Sequence, residues 1–309
     1  METLHDDRRI TAAGLASLVT VYLVWGSTYL AIRFGVREGS GFPPFALGAM
    51  RTFAAGSALF LWALARRTSI RISRSEVFTL ALAGLLMWPG ANGLVNWAEQ
   101  RADSSYAALL VAAMPIWTAL IDAIWRRRWP SWRLMGFLLV GFAGIGLLTV
   151  PQLRLAEGAD MTSILLLVLA PVTWSVGTLL QIHRPVRVSP LTASAYLNLF
   201  GSVGFALLWV LAGEPMPHPT AEAWGALAYL IVAGSIIAYT AYVRTLRMLP
   251  TSIAMTYAYV NPVVAVLLGW ALLRESITVT TGVGMVVILI GVWGVFREKR
   301  HRPAPTMDH

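Results

Sequence analysis

The strongest constraint in this sequence is a train of ten apolar runs, each about as long as a bilayer is thick. They occupy roughly 11–32, 42–64, 76–98, 104–125, 132–150, 161–182, 191–212, 223–245, 251–273 and 278–296. A crossing helix needs about 20 mostly apolar residues, at 1.5 Å of rise each, to span about 30 Å of hydrocarbon. Hydrocarbon offers no partner to a bare N–H or C=O, so only helices and closed barrels cross it. No run alternates with period two, which leaves helices. Only 13% of the residues are charged, about half the share in soluble domains, and an ordinary soluble globule is excluded. The expected fold is an all-α membrane protein with ten transmembrane helices.

The charges between the runs set the orientation. With the N-terminus inside, 18 Lys and Arg fall in inner segments and 5 in outer ones, with Arg51 left inside a run. Cytoplasmic loops concentrate Lys and Arg, so both termini are expected in the cytoplasm. The net charge of +9 therefore reflects topology, and the stretch "IWRRRWPSWR" (124–133) reads as an interfacial loop, not a nucleic-acid patch. The opening "METLHDDRRITAAG" has no small-residue cleavage site after its first apolar run, which reads as a retained helix. There is no cysteine, which removes disulfides and thiol chemistry. "GFAGIG" (141–146) has the wrong glycine order for a dinucleotide fingerprint and suits close helix packing instead. No cofactor or metal is expected, no nucleic acid, and the oligomeric state is open. The expected partners are the bilayer and a small-molecule substrate.

One run, "YVNPVVAVLL" (259–268), carries Asn261 and Pro262 in its middle. Proline removes a backbone N–H and crowds the carbonyl one turn back, and a buried amide needs a partner. The run has an earlier relative in "AAMPIWTALI" (112–121). A shift of 147 lays Pro115 on Pro262, Ser105 on Ser252, Phe53 on Phe200, Trp62 on Trp209 and Gly144 on Gly291; a shift of 149 lays Trp25 on Trp174. The chain is two copies of a five-helix unit, divided as 1–150 and 151–309, the second ending in a cytoplasmic tail. Five is odd, so the second copy enters from the opposite side. Inverted repeats are the architecture of secondary transporters, with the substrate near midplane between them. Each proline then frees a carbonyl at the repeat interface, either to kink a packed helix or to offer an acceptor to a cavity.

Neutral polar and aromatic residues recur at helical spacing. Tyr22, Trp25 and Tyr29 share a face of the first run; Trp88, Asn92 and Asn96 share one of the third; Trp174 with Thr178, Tyr239 with Tyr242 and Tyr257 with Asn261 mark later runs. The candidate substrate-binding set is Trp25, Tyr29, Arg51, Asn92, Asn96, Trp174, Thr178, Tyr239, Tyr257 and Asn261. Singly, each could be a core hydrogen bond. Together they outline a central cavity whose aromatic walls, amides and hydroxyls suit small neutral or zwitterionic solutes. Arg51 lies about 14 Å into its helix, where a charge costs about 2.5–3.5 kcal/mol to insert. It either binds carbonyls or an anionic substrate group, or anchors helices; its repeat partner is Asn198. All Asp, Glu and His fall in loops or near run ends, with Glu99 and Asp122 closest to the interior.

On "WGSTYLAIRFG" (25–35), Arg51, "SYAALLVAAMP" (105–115), the segment from Thr256-Tyr257-Ala258 to Gly269, and Glu275 with "ITVTTGVGMVVILIGV" (277–292), the chain resembles the drug/metabolite transporter superfamily. Within it, the chain resembles ten-helix bacterial exporters with paired EamA domains. In the first half the glutamate of the end-of-repeat pattern is replaced in "RRRWPSWRLMG". Small multidrug-resistance relatives use a glutamate in their first helix, and that helix has none here. The resemblance implies export of amino acids, other metabolites or drugs. The expected function is alternating-access export of small neutral or zwitterionic metabolites such as amino acids. The alternatives are a multidrug exporter of amphiphiles and, further off, a membrane enzyme or a scaffold. No catalytic constellation is visible.

Overall fold

The structure is a computed structural model and describes residues 10–36, 39–98, 104–155, 160–273 and 277–300. Glu99, Arg274 and Glu275 lie outside the described residues, as does the side chain of Tyr29. The elements run α1 (Ala12–Val36), α2 (Pro44–Ala65), α3 (Arg74–Met87), a π-helical segment (Trp88–Gly93), α4 (Leu94–Ala98), α5 (Ser104–Val111), α6 (Met114–Arg126) and α7 (Trp132–Leu155). They continue as α8 (Met161–His183), α9 (Pro190–Leu211), α10 (Ala221–Tyr229), a second π-helical segment (Leu230–Ala238), α11 (Tyr239–Met248), α12 (Thr251–Ala254), α13 (Tyr257–Leu273) and α14 (Val279–Arg300). Among the described residues, nine helices are long and apolar enough to cross a membrane, and the apolar stretch Ala12–Thr28 of α1 is a shorter tenth. The fold is an all-α membrane protein.

Local chemistry starts these helices where they start. Pro44 and Pro190 open α2 and α9, positions where the missing N–H would be unpaired anyway. Ser73 and Glu76 form a reciprocal capping box on α3, while Asp160 and Thr220 cap α8 and α10. Outward faces stay apolar: Leu23, Phe53, Leu61, Val203 and Leu289 are exposed, as a lipid-facing surface requires. Trp125, Trp129 and Trp132 are also exposed, beside the arginine-rich turn, where indoles settle at headgroup level.

The helix contacts repeat with the halves exchanged. α1 packs on α10–α11 and on α13; α8 packs on α3–α4 and on α5–α6; α2 pairs with α9, and α7 with α14. The last pair shows the two-fold relation residue by residue. A Cβ added to Gly144 would stand 2.6 Å from the Ile288 nitrogen, and one on Gly291 would stand 2.5 Å from the Gly141 nitrogen. Moving each member of the first pair by 147 gives the second pair, the signature of a self-complementary surface. Without a hydrophobic drive between helices in lipid, such backbone approach is what holds them.

The structure departs from the sequence expectation at the breaks. Pro115 does not kink a continuous helix; it sits in the first turn of α6, after a turn at Ala112–Ala113. Pro262 lies inside α13, whose own break comes earlier, between α12 and Tyr257. The third run also changes to π-helix at Trp88-Pro89-Gly90, where Pro89 has no N–H to give the α-ladder. The shift of 147 carries Trp88–Gly93 onto 235–240, overlapping the second π segment.

Candidate functional site

Trp25, midway along α1, is the hub of the interior. Its ring lies 5.7 Å from Trp174 on α8, 5.2 Å from Tyr242 and 6.3 Å from Tyr239 on α11, and 5.0 Å from Tyr257 on α13, centroid to centroid. The Trp174 and Tyr257 contacts are edge-on, the arrangement that aromatic quadrupoles favour. The indole is held in place: its Nε1–H donates to the Gly234 carbonyl in the second π segment, at 3.0 Å. α1 reaches that position because Gly26 lets it cross α13 closely. A Cβ at Gly26 would lie 2.6 Å from Val264 and 3.2 Å from the Asn261 carbonyl. Asn261-Pro262 therefore sits where α1 crosses α13, beside the hub.

The repeat partner of that crossing is polar. Ser175 Oγ donates to the Met114 carbonyl at 3.3 Å and pairs with Thr118 Oγ1 at 2.8 Å. Met114 stands 147 before Asn261, and Ser175 stands 149 after Gly26, so the two halves make one contact with different chemistry.

Hydroxyls and sulfurs line the box. Tyr242 Oη receives the Trp174 indole N–H at 3.2 Å and shares a hydrogen bond with Thr178 Oγ1 at 2.6 Å. Tyr257 Oη donates to Met114 Sδ at 3.0 Å, and Tyr239 Oη donates to Met87 Sδ at 3.6 Å. Tyr239 also packs at a tilt against Trp88, 5.0 Å between centroids, and the Arg51 guanidinium sits over that indole at 5.1 Å. Arg51 Nε donates to Ser235 Oγ at 2.8 Å. Ser235 follows Gly234, so the hub indole and the arginine attach to adjacent residues of one helix.

The structure thus brings together Trp25, Trp174, Thr178, Tyr239 and Tyr257, with Arg51 one ring away. Asn261 is buried beside them, and its Oδ1 has no partner among the described residues. Asn92 and Asn96 are bound differently. Asn92 Nδ2 donates to the Met87 carbonyl five residues back, at the end of α3, and Asn96 Nδ2 reaches the Pro44 carbonyl at the start of α2. Both are half-buried, and these nitrogens serve backbone carbonyls. Sequence reasoning left Tyr242, Trp88, Ser235, Met87 and Met114 out of the candidate set. Tyr242 lies one turn from Tyr239, and the shift of 147 lays Trp88 on Ser235 and Met114 on Asn261; those were the available signals.

Asp122 lies apart, toward the end of α6. Its Oδ1 meets His183 Nε2 at 2.7 Å and Arg126 Nε at 2.8 Å, and Trp125 stands edge-on to the imidazole. This ion-paired cluster ties α6 to α8 away from the aromatic box.

The chain matches the model of the EamA-like transporter family twice, over residues 12–150 and 161–297. An Escherichia coli K12 protein named uncharacterized inner membrane transporter YedA is 32% identical over 89% of this chain and 88% of its own. A Bacillus subtilis protein named uncharacterized transporter YoaV is 21% identical over 90% of this chain and 95% of its own. One crystal structure of a protein superposes with a TM-score of 0.80 at 20% identity, covering 94% of this chain and 99% of that one. At that identity it supports the fold alone.

Proposed function

Because the chain belongs to the EamA-like transporter family, we propose that it exports small neutral or zwitterionic metabolites, such as amino acids, across the inner membrane by alternating access. The observation that carries this reading is the joint aromatic box: Trp25 from the first half is packed against Trp174, Tyr239, Tyr242 and Tyr257 from the second. Inverted-repeat transporters bind substrate near midplane between their halves, and the contact of Trp25 with its repeat partner Trp174 supports the same position here. Rings offer apolar walls to a solute body, and hydroxyls and sulfurs at their edges offer weak orienting contacts. No acidic side chain is among the buried described residues, so the reading is facilitated flux down the solute gradient, without a carboxylate carrying a proton. Transport, not catalysis, is the activity that such a site supports.

The test is efflux of radiolabelled amino acids from proteoliposomes holding only this protein, with no pH gradient imposed. Wild-type vesicles should equilibrate their load. Trp25→Ala should lower flux about tenfold or more, since losing a stacked wall costs area burial plus about 0.5–1.5 kcal/mol. Trp62→Ala, on an exposed indole, should leave flux intact. Flux that appears only under a proton gradient, or wild-type flux in Trp25→Ala, would overturn the reading.

A further inference from the structure

The geometry points to Arg51 as the anchor for a carboxylate on the transported solute, with the solute's apolar body on the aromatic box; this rests on the transport reading above. Arg51 is the one charged side chain among the buried described residues, at 9% exposure. A guanidinium carries five N–H donors in a planar fork. Here the Nε donor goes to the Ser235 hydroxyl, and the cation lies over the Trp88 ring. The other four have no protein hydrogen bond among the described residues. No carboxylate pairs with Arg51 there either. Buried charges are normally paired, and a hydroxyl with a ring face supplies only part of that compensation.

The missing part has a definite shape and charge. The unused Nη donors are the edge of the fork that binds planar oxyanions bidentately. One positive charge with no second Lys or Arg in the buried set matches one negative charge, which favours a monocarboxylate over a phosphate or a dicarboxylate. The apolar surface next to the anchor is the box itself: Trp88 links Arg51 to Tyr239, and Tyr239 packs against Trp25. Gly234 lets the guanidinium lie this close to the second π segment. A Cβ there would stand 2.9 Å from Arg51 Nη2 and 3.2 Å from Thr28 Cγ2, while the Gly234 carbonyl takes the Trp25 N–H. Anchor and box are therefore fixed on one turn of the second π segment. The ligand class is an amphiphilic monocarboxylate, zwitterionic amino acids included.

The test uses matched probes on the purified full-length protein: leucine, phenylalanine and 3-phenylpropionate as carboxylates, with leucinamide, phenylalaninamide and phenethylamine as partners lacking that charge. Binding is read from the probe concentration needed for thermal protection in detergent, and flux from proteoliposomes. The carboxylates should protect at concentrations at least about tenfold lower than their partners, the gap expected for one bidentate charged contact. Arg51→Gln should collapse that ratio towards one, and Arg51→Lys should keep part of it. An anchor that serves only folding would weaken both probe classes equally and leave the ratio unchanged, which overturns the proposal. Carboxylate-selective, Arg51-dependent binding without flux upholds the anchor and overturns transport. Flux indifferent to the carboxylate does the reverse. If no probe binds or moves, both fall.

Discussion

Replacing Tyr242 with phenylalanine isolates the polar tie inside the aromatic box, because the ring stays and one hydroxyl leaves. That hydroxyl is fully buried, receives the Trp174 indole N–H at 3.2 Å and shares a hydrogen bond with Thr178 at 2.6 Å. In water-soluble cores, stranding a buried donor costs about 1–3 kcal/mol. In membranes the unfolded reference also finds partners, and interhelical hydrogen bonds average about 0.6 kcal/mol with a maximum near 1.7. The membrane scale governs here, and two bonds lost together give roughly 1–3 kcal/mol. Removing the second partner separates this from packing. Thr178→Val alone strands one side of the bond, whereas Tyr242→Phe with Thr178→Val leaves neither side of that pair unmatched. The double variant should therefore lose less than the sum of the singles, by about 0.6–1.7 kcal/mol. Unfolding of the purified protein in detergent, followed by intrinsic fluorescence, measures all four corners of the cycle. Additive losses, or wild-type stability in Tyr242→Phe, would show that the hydroxyl network does not bind α8 to α11.

Two further outcomes follow from packing and charge. Gly26→Ala should destabilise by about 1–3 kcal/mol through overpacking, since its Cβ would meet Val264 at 2.6 Å; Gly146→Ala, with open space around it, should gain about 0.5–1 kcal/mol, and thermal unfolding of both variants decides. A C-terminal reporter should be active only as a cytoplasmic fusion, given 18 inner against 5 outer basic residues; periplasmic activity would refute the ten-span count.

The spans were legible because hydrocarbon leaves the backbone little choice, and length and hydropathy then suffice. The repeat was legible because Trp and Pro are sparse enough for matches such as Pro115 with Pro262 to stand out. The breaks were harder to read. "WPGANG" is apolar enough to pass for α-helix, and Pro89, which has no N–H, is its one local sign of a break. That change of helix type altered the setting of Asn92, whose Nδ2 now serves the Met87 carbonyl. Helical spacing found Trp25, Trp174, Tyr239 and Tyr257, whose faces do converge. It could not find Ser235, Met87 or Met114, small or apolar residues that gain meaning from what approaches them: a guanidinium or a tyrosine hydroxyl.

The glycine seam between α7 and α14 has a consequence for descent. A surface complementary to its own inverted image already meets the geometric condition for a two-fold homodimer, so a lone five-helix ancestor carrying it had the means to pair with a second copy. Two copies held in one chain are not required to stay identical. Gly144 opposite Ile288 and Gly291 opposite Gly141 still carry the old equivalence along the backbone. Gly26 against the Asn261 carbonyl and Ser175 against the Met114 carbonyl mark where the two copies differ, one step from the box.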